Sequence, residues 1–254
     1  MTTRKPAVSG MFYPSDKAEL DSMIDKFLDN VPDIKLEKEL KAIIVPHAGY
    51  IYSGQVAAYA YSLLKKYRDR IKKVIMLGPS HQVYFSDAAS DVNEYWESPL
   101  GKVKVMENKL RKLEEPHVKE HCLEVQVPFL QKILKDFEIL PMVAGDADPK
   151  KISKCIEPLL NEDTVLIISS DLSHYNSYDD AVGIDKNTNI GINNLDYDKI
   201  EQEGDACGKI PILALIDIAK KLKWKCKLLD YKNSGDVTNT KDGVVGYSSF
   251  VFYG

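Results

Sequence analysis

The sequence predicts an α/β fold: a single domain in which a central, mostly parallel or mixed β-sheet is flanked by helices on both faces. Short apolar runs rich in β-branched residues recur along the chain, and segments with apolar residues at helical spacing lie between many of them. Continuous apolar strands that alternate with helices are typical of a parallel sheet covered on both sides. No shift in composition marks a linker, so we expect one domain spanning residues 1–254.

Seven apolar runs are predicted to form the strands of this sheet. We expect the runs at 102–105 and 244–252 to be antiparallel strands at its edges. In chain order the seven runs are 42–45, 74–78, 102–105, 138–143, 165–169, 226–231 and 244–252.

Four amphipathic segments are predicted to form the helices. A serine precedes or opens two of them, so we expect Ser15 to cap the first helix and Ser53 the second. The polar stretch 176–204 lacks a strand pattern and is predicted to form either a pair of helices or a long excursion from the sheet. The four segments are 16–30, 53–67, 123–137 and 208–223.

Composition excludes several classes of function. The net charge is −4 and the lysines are scattered, so no basic patch indicates a nucleic-acid partner. The N-terminal residues lack the apolar stretch of a signal peptide, and no apolar run approaches the ~18 residues of a membrane span. The four cysteines form no CxxC pair, which argues against a zinc ribbon or a disulfide framework. We therefore expect a cytoplasmic protein without a membrane partner; the sequence gives no oligomeric state.

Three of the five histidines follow a predicted strand within a few residues: His47, His81 and His174. Pro46 and Pro79 end two of these strands, because proline cannot donate to a sheet ladder. The carboxyl ends of parallel strands share one edge of a sheet, and ligands bind outside that edge. Converging neutral imidazoles suit a first-row transition metal, with positions left open for a substrate. A surface position is the alternative for each histidine taken alone.

Three further residues are candidates for the same site. Asp171, three residues before His174, is expected to bind the metal, to orient an imidazole or to cap a helix. Cys207 lies near the start of the predicted helix 208–223, and a helix N-terminus lowers the pKa of a thiol and favours the thiolate. A small buried residue is the alternative for this cysteine. His121 stands one helical turn before Glu124, a weak ligand spacing that is compatible with a supporting role in the site or a structural one.

Aromatic residues surround the first histidine motif and the N-terminal segment. Phe12, Tyr50 and Tyr52 are candidates for the walls of a pocket that accepts a flat substrate. Packing within the core is the alternative, and the sequence alone does not choose between them.

Seven motifs occur in the order found in the Memo family, which the chain resembles over essentially its whole length. The family includes the human mediator of receptor-driven cell motility and bacterial and archaeal proteins of the AmmeMemoRadiSam system protein B type. The resemblance implies a single α/β domain similar in fold to the class III non-haem iron extradiol dioxygenases. The motifs are AVSGMFYPSD, VPHAGYIYSG, LGPSHQVYF, EHCLEVQVPFLQ, ISSDLSHY, CGKIPI and VVGYSSFVF.

The resemblance also implies roles for individual residues. His47 of PHAGY, His81 of GPSH and Cys207 of the CG motif resemble the metal ligands. Asp171 and His174 of SDLSH resemble residues of the same pocket, with His174 similar to the acid–base histidine of the dioxygenases.

Two positions differ from what the relatives imply. The human family member has an overlapping phosphotyrosine-peptide site, in which a tryptophan stands where this chain has Phe12, and a tyrosine matches Tyr52. The dioxygenases supply a glutamate as third ligand where this chain has Cys207, so dioxygenase chemistry does not follow from the fold.

Three functions are compatible with these residues. The first is a metal-dependent oxidoreductase, dioxygenase-like, with non-haem Fe(II) as the expected cofactor and copper or zinc as alternatives; His174 moves protons and Asp171 orients it. The second is a non-catalytic module that binds a small molecule or peptide in the same pocket. The third is a cysteine-dependent hydrolase in which Cys207, His174 and Asp171 form a triad, although the chain has no G-x-S-x-G elbow.

Overall fold

The computed structural model describes residues 2–254 and confirms an α/β architecture with a large mixed sheet flanked by helices. The eleven strands of the described residues belong to one sheet. They are β1 (Thr3–Arg4), β2 (Leu40–Val45), β3 (Lys73–Pro79), β4 (Ala88–Ser90), β5 (Tyr95–Ser98), β6 (Gly101–Val105), β7 (Glu138–Ala144), β8 (Thr164–Ser169), β9 (His174–Asn176), β10 (Lys225–Asn233) and β11 (Val244–Tyr253).

Nine α-helices occur in the same residues, with short 3-10 turns at Lys65–Tyr67, Glu124–Gln126 and Glu157–Leu159. The helices are α1 (Lys17–Asp29), α2 (Tyr50–Leu64), α3 (Glu115–Val118), α4 (Val127–Ile133), α5 (Pro149–Ile156), α6 (Tyr178–Asn193), α7 (Tyr197–Glu203), α8 (Lys209–Lys221) and α9 (Ser234–Thr238). None of the helices in residues 2–254 is long and apolar enough to cross a membrane.

The strand order is β1-β5-β6-β7-β3-β8-β2-β11-β10, with β4 paired to β7 and β9 paired to β11. The central strands β7, β3, β8 and β2 are parallel to one another, and β11 is antiparallel to both β2 and β10. The expected antiparallel pairings are therefore confirmed for β6, which pairs with β5, and for β11. Their expected edge positions are wrong, because β5 covers β6 and the half-exposed β10 covers β11.

Both faces of the sheet are buried, which explains why the central strands are apolar without interruption. Along β3 the side chains alternate: Val74 and Met76 join the core that α1, α2 and α4 complete. Ile75 and Leu77 join the opposite core, completed mainly by α5 and α8. The four apolar residues in the middle of this strand therefore contribute alternately to two hydrophobic layers.

The expected helix starts are shifted by a few residues. Asp16, and not Ser15, caps α1, because its carboxylate accepts the Glu19 N–H at 2.9 Å. Helix α2 begins at Tyr50 after Gly49, and no side chain caps it. Ser53 therefore lies inside the first turn, where its hydroxyl donates to the Ala48 carbonyl. Both serine caps were wrong because the helices begin elsewhere: the cap of α1 lies one residue later than predicted, and that of α2 four residues earlier.

The other helical predictions agree with the structure at the level of whole elements. The polar stretch 176–204 is a helix pair, α6 and α7. The segment 123–137 is shorter than predicted, because it begins as a 3-10 turn and α4 ends at Ile133.

Candidate metal centre

The site lies at the carboxyl ends of three neighbouring parallel strands, β3, β8 and β2. His47 follows β2 by two residues, and His81 follows β3 by two residues. Ser169 is the last residue of β8 and lies between them in the strand order. The expected convergence of His47 and His81 at one sheet edge is therefore what the topology produces.

His47 is fixed by three contacts and is 2 % exposed. Its backbone N–H donates to Asp171 Oδ1 at 2.7 Å, and its Nδ1 lies 2.9 Å from Ser169 Oγ. Its Nε2 lies 3.2 Å from the Sγ of Cys207. Burial lowers the pKa of this imidazole well below its usual value, so the ring is neutral at pH 7.

His81 lies at the mouth of a cleft of about 740 Å³ and reaches solvent. Its Nδ1 lies 2.9 Å from Glu120 Oε1, and its backbone N–H donates to Glu120 Oε2 at 2.6 Å. Cys207 and Lys209 face the same cleft, so a ligand that enters it reaches both His81 and the cysteine.

Cys207 stands two residues before α8, as expected, but its thiol is not activated in the metal-free protein. Burial raises the pKa of the thiol to about 12, and the nearby Asp171 carboxyl adds to this effect. Hydrogen bonds from the Asp171 and Gly208 N–H groups lower the pKa by a smaller amount. The expectation of a lowered pKa was wrong, because desolvation outweighs the helix N-terminus.

The ligand atoms of His47, His81 and Cys207 lie within 4.8 Å of one another. An ion bound at the usual metal–nitrogen and metal–sulfur distances separates tetrahedral ligand atoms by roughly 3.5 Å, so small side-chain movements are enough to enclose one. Two imidazole nitrogens and one sulfur suit iron, copper or zinc rather than magnesium or calcium. The three residues therefore fit a first-row transition metal.

A second group, His81, Glu120 and Cys122, satisfies the same distance limit but has a different chemistry. The Glu120 carboxylate already accepts hydrogen bonds from His81, from the His121 N–H and from the Cys122 N–H. The Cys122 thiol donates to the Pro79 carbonyl. Burial alone raises the pKa of Glu120, but the hydrogen bonds and charge of His81 outweigh it and lower the pKa to about 2. Glu120 and Cys122 therefore support the group of His47, His81 and Cys207 through hydrogen bonds.

His121 completes a cluster of three imidazoles. Its ring stacks on His81 with centroids 4.8 Å apart and contacts the edge of His47 at 5.3 Å. The half-buried ring of Phe12 lies 4.8 Å from it on another side. Burial lowers the pKa of His121, so this ring is also neutral at pH 7. His121 and Phe12 are thus placed together at the candidate site.

Asp171 lies in the site but does not contact His174. Its carboxylate accepts the His47 N–H, and burial raises its pKa to about 7. Within the described residues no direct hydrogen bond joins it to His174. No helix starts after Asp171 either, since β9 follows it.

His174 is half-buried at the start of β9, which pairs with β11. Its ring contacts that of Tyr175, at 5.9 Å between centroids, and burial lowers its pKa. Its charge contributes weakly to the lowered pKa of His47. His174 is therefore a neighbour of the site without direct contact to the other described histidines.

The two tyrosines have different environments. Tyr50 is 3 % exposed and packs against Tyr13, Phe27 and Phe129, with its hydroxyl donating to the Val125 carbonyl at 2.6 Å. Tyr52 is 37 % exposed on the first turn of α2. Packing accounts for Tyr50, whereas Tyr52 is accessible to a ligand.

Sequence reasoning missed Gln126, considered Ser169 only as a nucleophile for a hydrolase, and gave Glu120 no role in the site. Gln126 donates from Nε2 to Ser169 Oγ at 2.9 Å and to the Pro46 carbonyl at 3.0 Å, which ties the turn after β2 to the end of β8. Serine and glutamine carry no spacing signal. Only the position of Glu120 beside His121 could have suggested it.

Comparison with known sequences identifies the family of the chain. The family model described as Memo-like protein matches residues 4–251. A MEMO1 family protein of Thermoplasma volcanium is 39% identical, with 98% of this chain and 97% of that protein covered. MEMO1 family proteins of Aquifex aeolicus and Saccharolobus solfataricus are 35% and 37% identical, with coverage of 96% or more of each chain. The family match spans nearly all of the residues described above, from Arg4 of β1 to Val251 of β11, and the chain belongs to the Memo family.

Proposed function

We propose that the chain is a metal-dependent oxidoreductase whose single metal ion is held by His47, His81 and Cys207. The observation that carries the proposal is the approach of three ligand atoms, from three distant parts of the sequence, to within 4.8 Å at one sheet edge. The donor set is compatible with iron, copper or zinc. The resemblance to non-haem iron dioxygenases favours Fe(II).

The bound metal would supply Lewis acidity and redox chemistry to a substrate in its open positions. The chain's own residues would bind the substrate and enclose the site. His81 and Cys207 face the cleft of about 740 Å³, which is large enough for a small molecule. The rings of His121 and Phe12 lie on another side of His47 and His81.

His174 is the proposed proton carrier. It is half-buried and lies near the cluster without being one of the three ligands, so its imidazole can accept and return a proton while a hydrogen bond to the Leu172 backbone holds the ring. Asp171 acts on a different residue, since it holds the backbone of His47 and, through it, the direction of the ring.

A binding role at the same edge of the sheet is the second candidate, supported by the accessible Tyr52 and by Phe12 against His121, which lie outside the lining of the 740 Å³ cleft. A flat or aromatic group of a ligand or peptide would stack there.

The hydrolase finds less support, because the imidazole beside Cys207 belongs to His47 and not to His174. The other nitrogen of that imidazole contacts Ser169, where a triad requires a carboxylate.

Metal analysis of anaerobically purified protein tests the proposal. We expect about one iron or copper ion per chain in the wild type and at most about a tenth of that in His47→Ala and His81→Ala. His174→Ala is the matched control, and should keep its metal while losing turnover. If the two ligand variants hold as much metal as the wild type, the site assignment fails. Tight ligand binding by metal-free protein without turnover would favour the binding module.

A further inference from the structure

Each proposed ligand histidine has its Nδ1 atom against a polar side chain that is not a proposed ligand. The partner of His47 is Ser169, at 2.9 Å, and the partner of His81 is Glu120, also at 2.9 Å. Both partners are buried, and both belong to hydrogen-bond networks that leave few choices for the protons. The direction of each hydrogen bond can therefore be worked out from the donors and acceptors.

A serine hydroxyl has one proton to donate and two lone pairs to accept with. Ser169 Oγ lies 2.6 Å from the Cys122 carbonyl, which can only accept, so the hydroxyl proton is committed to that oxygen. Gln126 Nε2, a donor, lies 2.9 Å from the same hydroxyl. The remaining lone pair faces His47, so His47 Nδ1 must carry the proton and donate it to Ser169. The Nε2 atom of His47, which faces Cys207, is then left with its lone pair.

The Glu120 carboxylate has no proton and accepts every hydrogen bond it makes. Besides His81 Nδ1, it accepts from the backbone N–H groups of His81, His121 and Cys122. His81 Nδ1 must therefore be protonated. In the neutral ring, Nε2 is the nitrogen that remains to bind a metal.

We propose that Ser169 and Glu120 are positioning residues that set His47 and His81 in the same tautomer, with the proton on Nδ1 and a free lone pair on Nε2, before any metal arrives. The expected effect on metal binding rests on the proposed function, whereas the assignment of the two tautomers does not. A metal-binding histidine usually donates its other N–H to a carboxylate, carbonyl or water, and the partner fixes the ring. Here the partner of His81 is a carboxylate. The partner of His47 is a serine hydroxyl, and Gln126 and the Cys122 carbonyl fix the direction of its hydrogen bonds.

The two partners predict different defects when they are changed. Ser169→Ala removes the acceptor for His47 and lets this ring adopt either tautomer. Glu120→Gln keeps the shape of the side chain but replaces one carboxylate oxygen with an NH₂ group. This group then faces N–H groups that donated to the oxygen. At the Oε2 position that group faces the His81 N–H and displaces the turn. At the Oε1 position it faces the His121 and Cys122 N–H groups as well as His81 Nδ1, so it disturbs the turn and moves the ring proton to Nε2.

Nitrogen-15 NMR of metal-free protein with labelled histidine tests the tautomers directly, using His47→Ala and His81→Ala to assign the rings. We expect both wild-type rings in the Nδ1–H form. Ser169→Ala should give a mixture at His47 alone, and Glu120→Gln a changed ring or backbone signal at His81. A wild-type ring in the Nε2–H form, or unchanged signals in both variants, overturns the inference. The wild-type spectrum decides even if a variant fails to fold.

Zn(II) competition against a chelator gives the second measurement. We expect Ser169→Ala and Glu120→Gln to bind Zn(II) about 10- to 100-fold more weakly than the wild type. Ser248→Ala and Asp91→Asn are the matched controls, because each changes a buried hydrogen-bonding residue whose partners lie outside the site. They should stay within about twofold of the wild type. Unchanged affinity in both site variants contradicts the inference, whereas a wild type that binds no metal but shows the expected tautomers contradicts the proposed function alone.

Discussion

The Nε2 atom of His47 lies 3.2 Å from the Sγ atom of Cys207, although 160 residues separate them in the sequence. The strand order makes this contact, since β2 and β8 are neighbours and the start of α8 packs against the end of β8. The Gly208 N–H donates to Ser170 Oγ at 2.9 Å, which fixes the first residue after the cysteine. The pairing of imidazole and thiol is thus a product of how helix α8 meets the sheet.

Replacing the thiol should change both the strength and the spectrum of metal binding. A thiolate is a softer ligand than a hydroxyl, so we expect Cys207→Ser to bind Co(II) at least about tenfold more weakly. The sulfur-to-cobalt charge-transfer absorption should vanish in the same variant. Absorption titration of metal-free protein with Co(II) under anaerobic conditions measures both effects.

Cys155→Ser is the control, because Cys155 is an exposed cysteine on α5. It should give the wild-type titration and spectrum. A charge-transfer band that persists in Cys207→Ser and disappears in Cys155→Ser would show that Cys155, and not Cys207, supplies the thiolate ligand.

Gly208 allows the close approach between α8 and β8. A Cβ atom at this position would lie 2.6 Å from Ser170 Cβ and 2.9 Å from the Ser169 carbonyl oxygen. Backbone cannot give way as a flexible side chain can, so Gly208→Ala should lower the free energy of unfolding by about 1–3 kcal/mol. The displaced start of α8 carries Cys207 with it, and we expect weaker Co(II) binding as well. Urea unfolding and the cobalt titration measure the two effects.

Gly183→Ala makes the same chemical change in open space, inside α6, where a Cβ atom meets nothing within 4 Å. Alanine is the better helix former, so this control should raise the free energy of unfolding by about 0.5–1 kcal/mol and leave metal binding unchanged. Equal behaviour of the two variants would show that the contact at Gly208 has no role in the site.

A buried ion pair ties the N-terminal segment to the support of the site. Arg4 donates to Glu124 Oε2 at 2.7 Å and to the carbonyls of His117 and Glu120 at the same distance. Glu124 also accepts the N–H groups of Ala7 and Val8. Arg4→Met leaves the Glu124 charge and two carbonyls buried without this partner. We expect a loss of about 3–5 kcal/mol in the free energy of unfolding, measured by urea denaturation.

Lys5→Met is the neighbouring control, since Lys5 pairs with Glu97 at the surface and its side chain is 69% exposed. Surface pairs contribute little, so this change should stay within about 1 kcal/mol of the wild type. A loss of the same size in both variants would mean that charge at the N-terminus, and not the buried network, sets the stability.

Most of the sheet could be predicted because its central strands are apolar along their whole length. Strands such as β3 and β8 are buried on both faces, so their composition differs sharply from that of the loops. The short strands β1, β4 and β5 carry no such signal and are held by their neighbours. The edge positions were wrong because the short strand β5 was not predicted, and because the sequence did not indicate that the predicted strand 226–231 would lie outside β11.

Two of the proposed ligands, His47 and His81, were predicted from the sequence itself and Cys207 through the resemblance to the Memo family, whereas the partners of the two histidines could not be predicted. His47 and His81 are recognisable because each follows a strand-ending proline closely. Ser169 and Glu120 act through hydrogen-bond direction, which depends on distances between segments that are far apart in the chain. The pKa of Cys207 was predicted in the wrong direction for a related reason: the helix start is visible in the sequence, but the burial that outweighs it is not.

Asp185 of α6 supports the turn before His174. Its Oδ1 accepts the Ser173 N–H at 3.0 Å, and its Oδ2 accepts from the Tyr231 hydroxyl at 2.8 Å. Burial raises the pKa of this carboxyl in the folded protein, although the two hydrogen bonds act in the opposite direction. The folded state therefore holds the proton more tightly than the unfolded state, in which the pKa is about 3.9. The stability that this group contributes is complete below that value and is lost as the pH rises through the folded pKa.

Asp185→Asn removes this pH dependence and keeps the shape. The amide oxygen still accepts the Ser173 N–H, and the NH₂ group donates to the Tyr231 oxygen once that hydroxyl turns. We therefore expect the variant's free energy of unfolding, measured by urea denaturation from pH 4 upward, to rise relative to that of the wild type as the pH increases and then to level off. Asp29→Asn makes the same chemical change at the exposed end of α1, and as the matched control it should change the free energy of unfolding by no more than about 0.5 kcal/mol. A difference between Asp185→Asn and the wild type that falls as the pH rises would mean that Asp185 is stabilised as a carboxylate, because its hydrogen bonds then outweigh its burial.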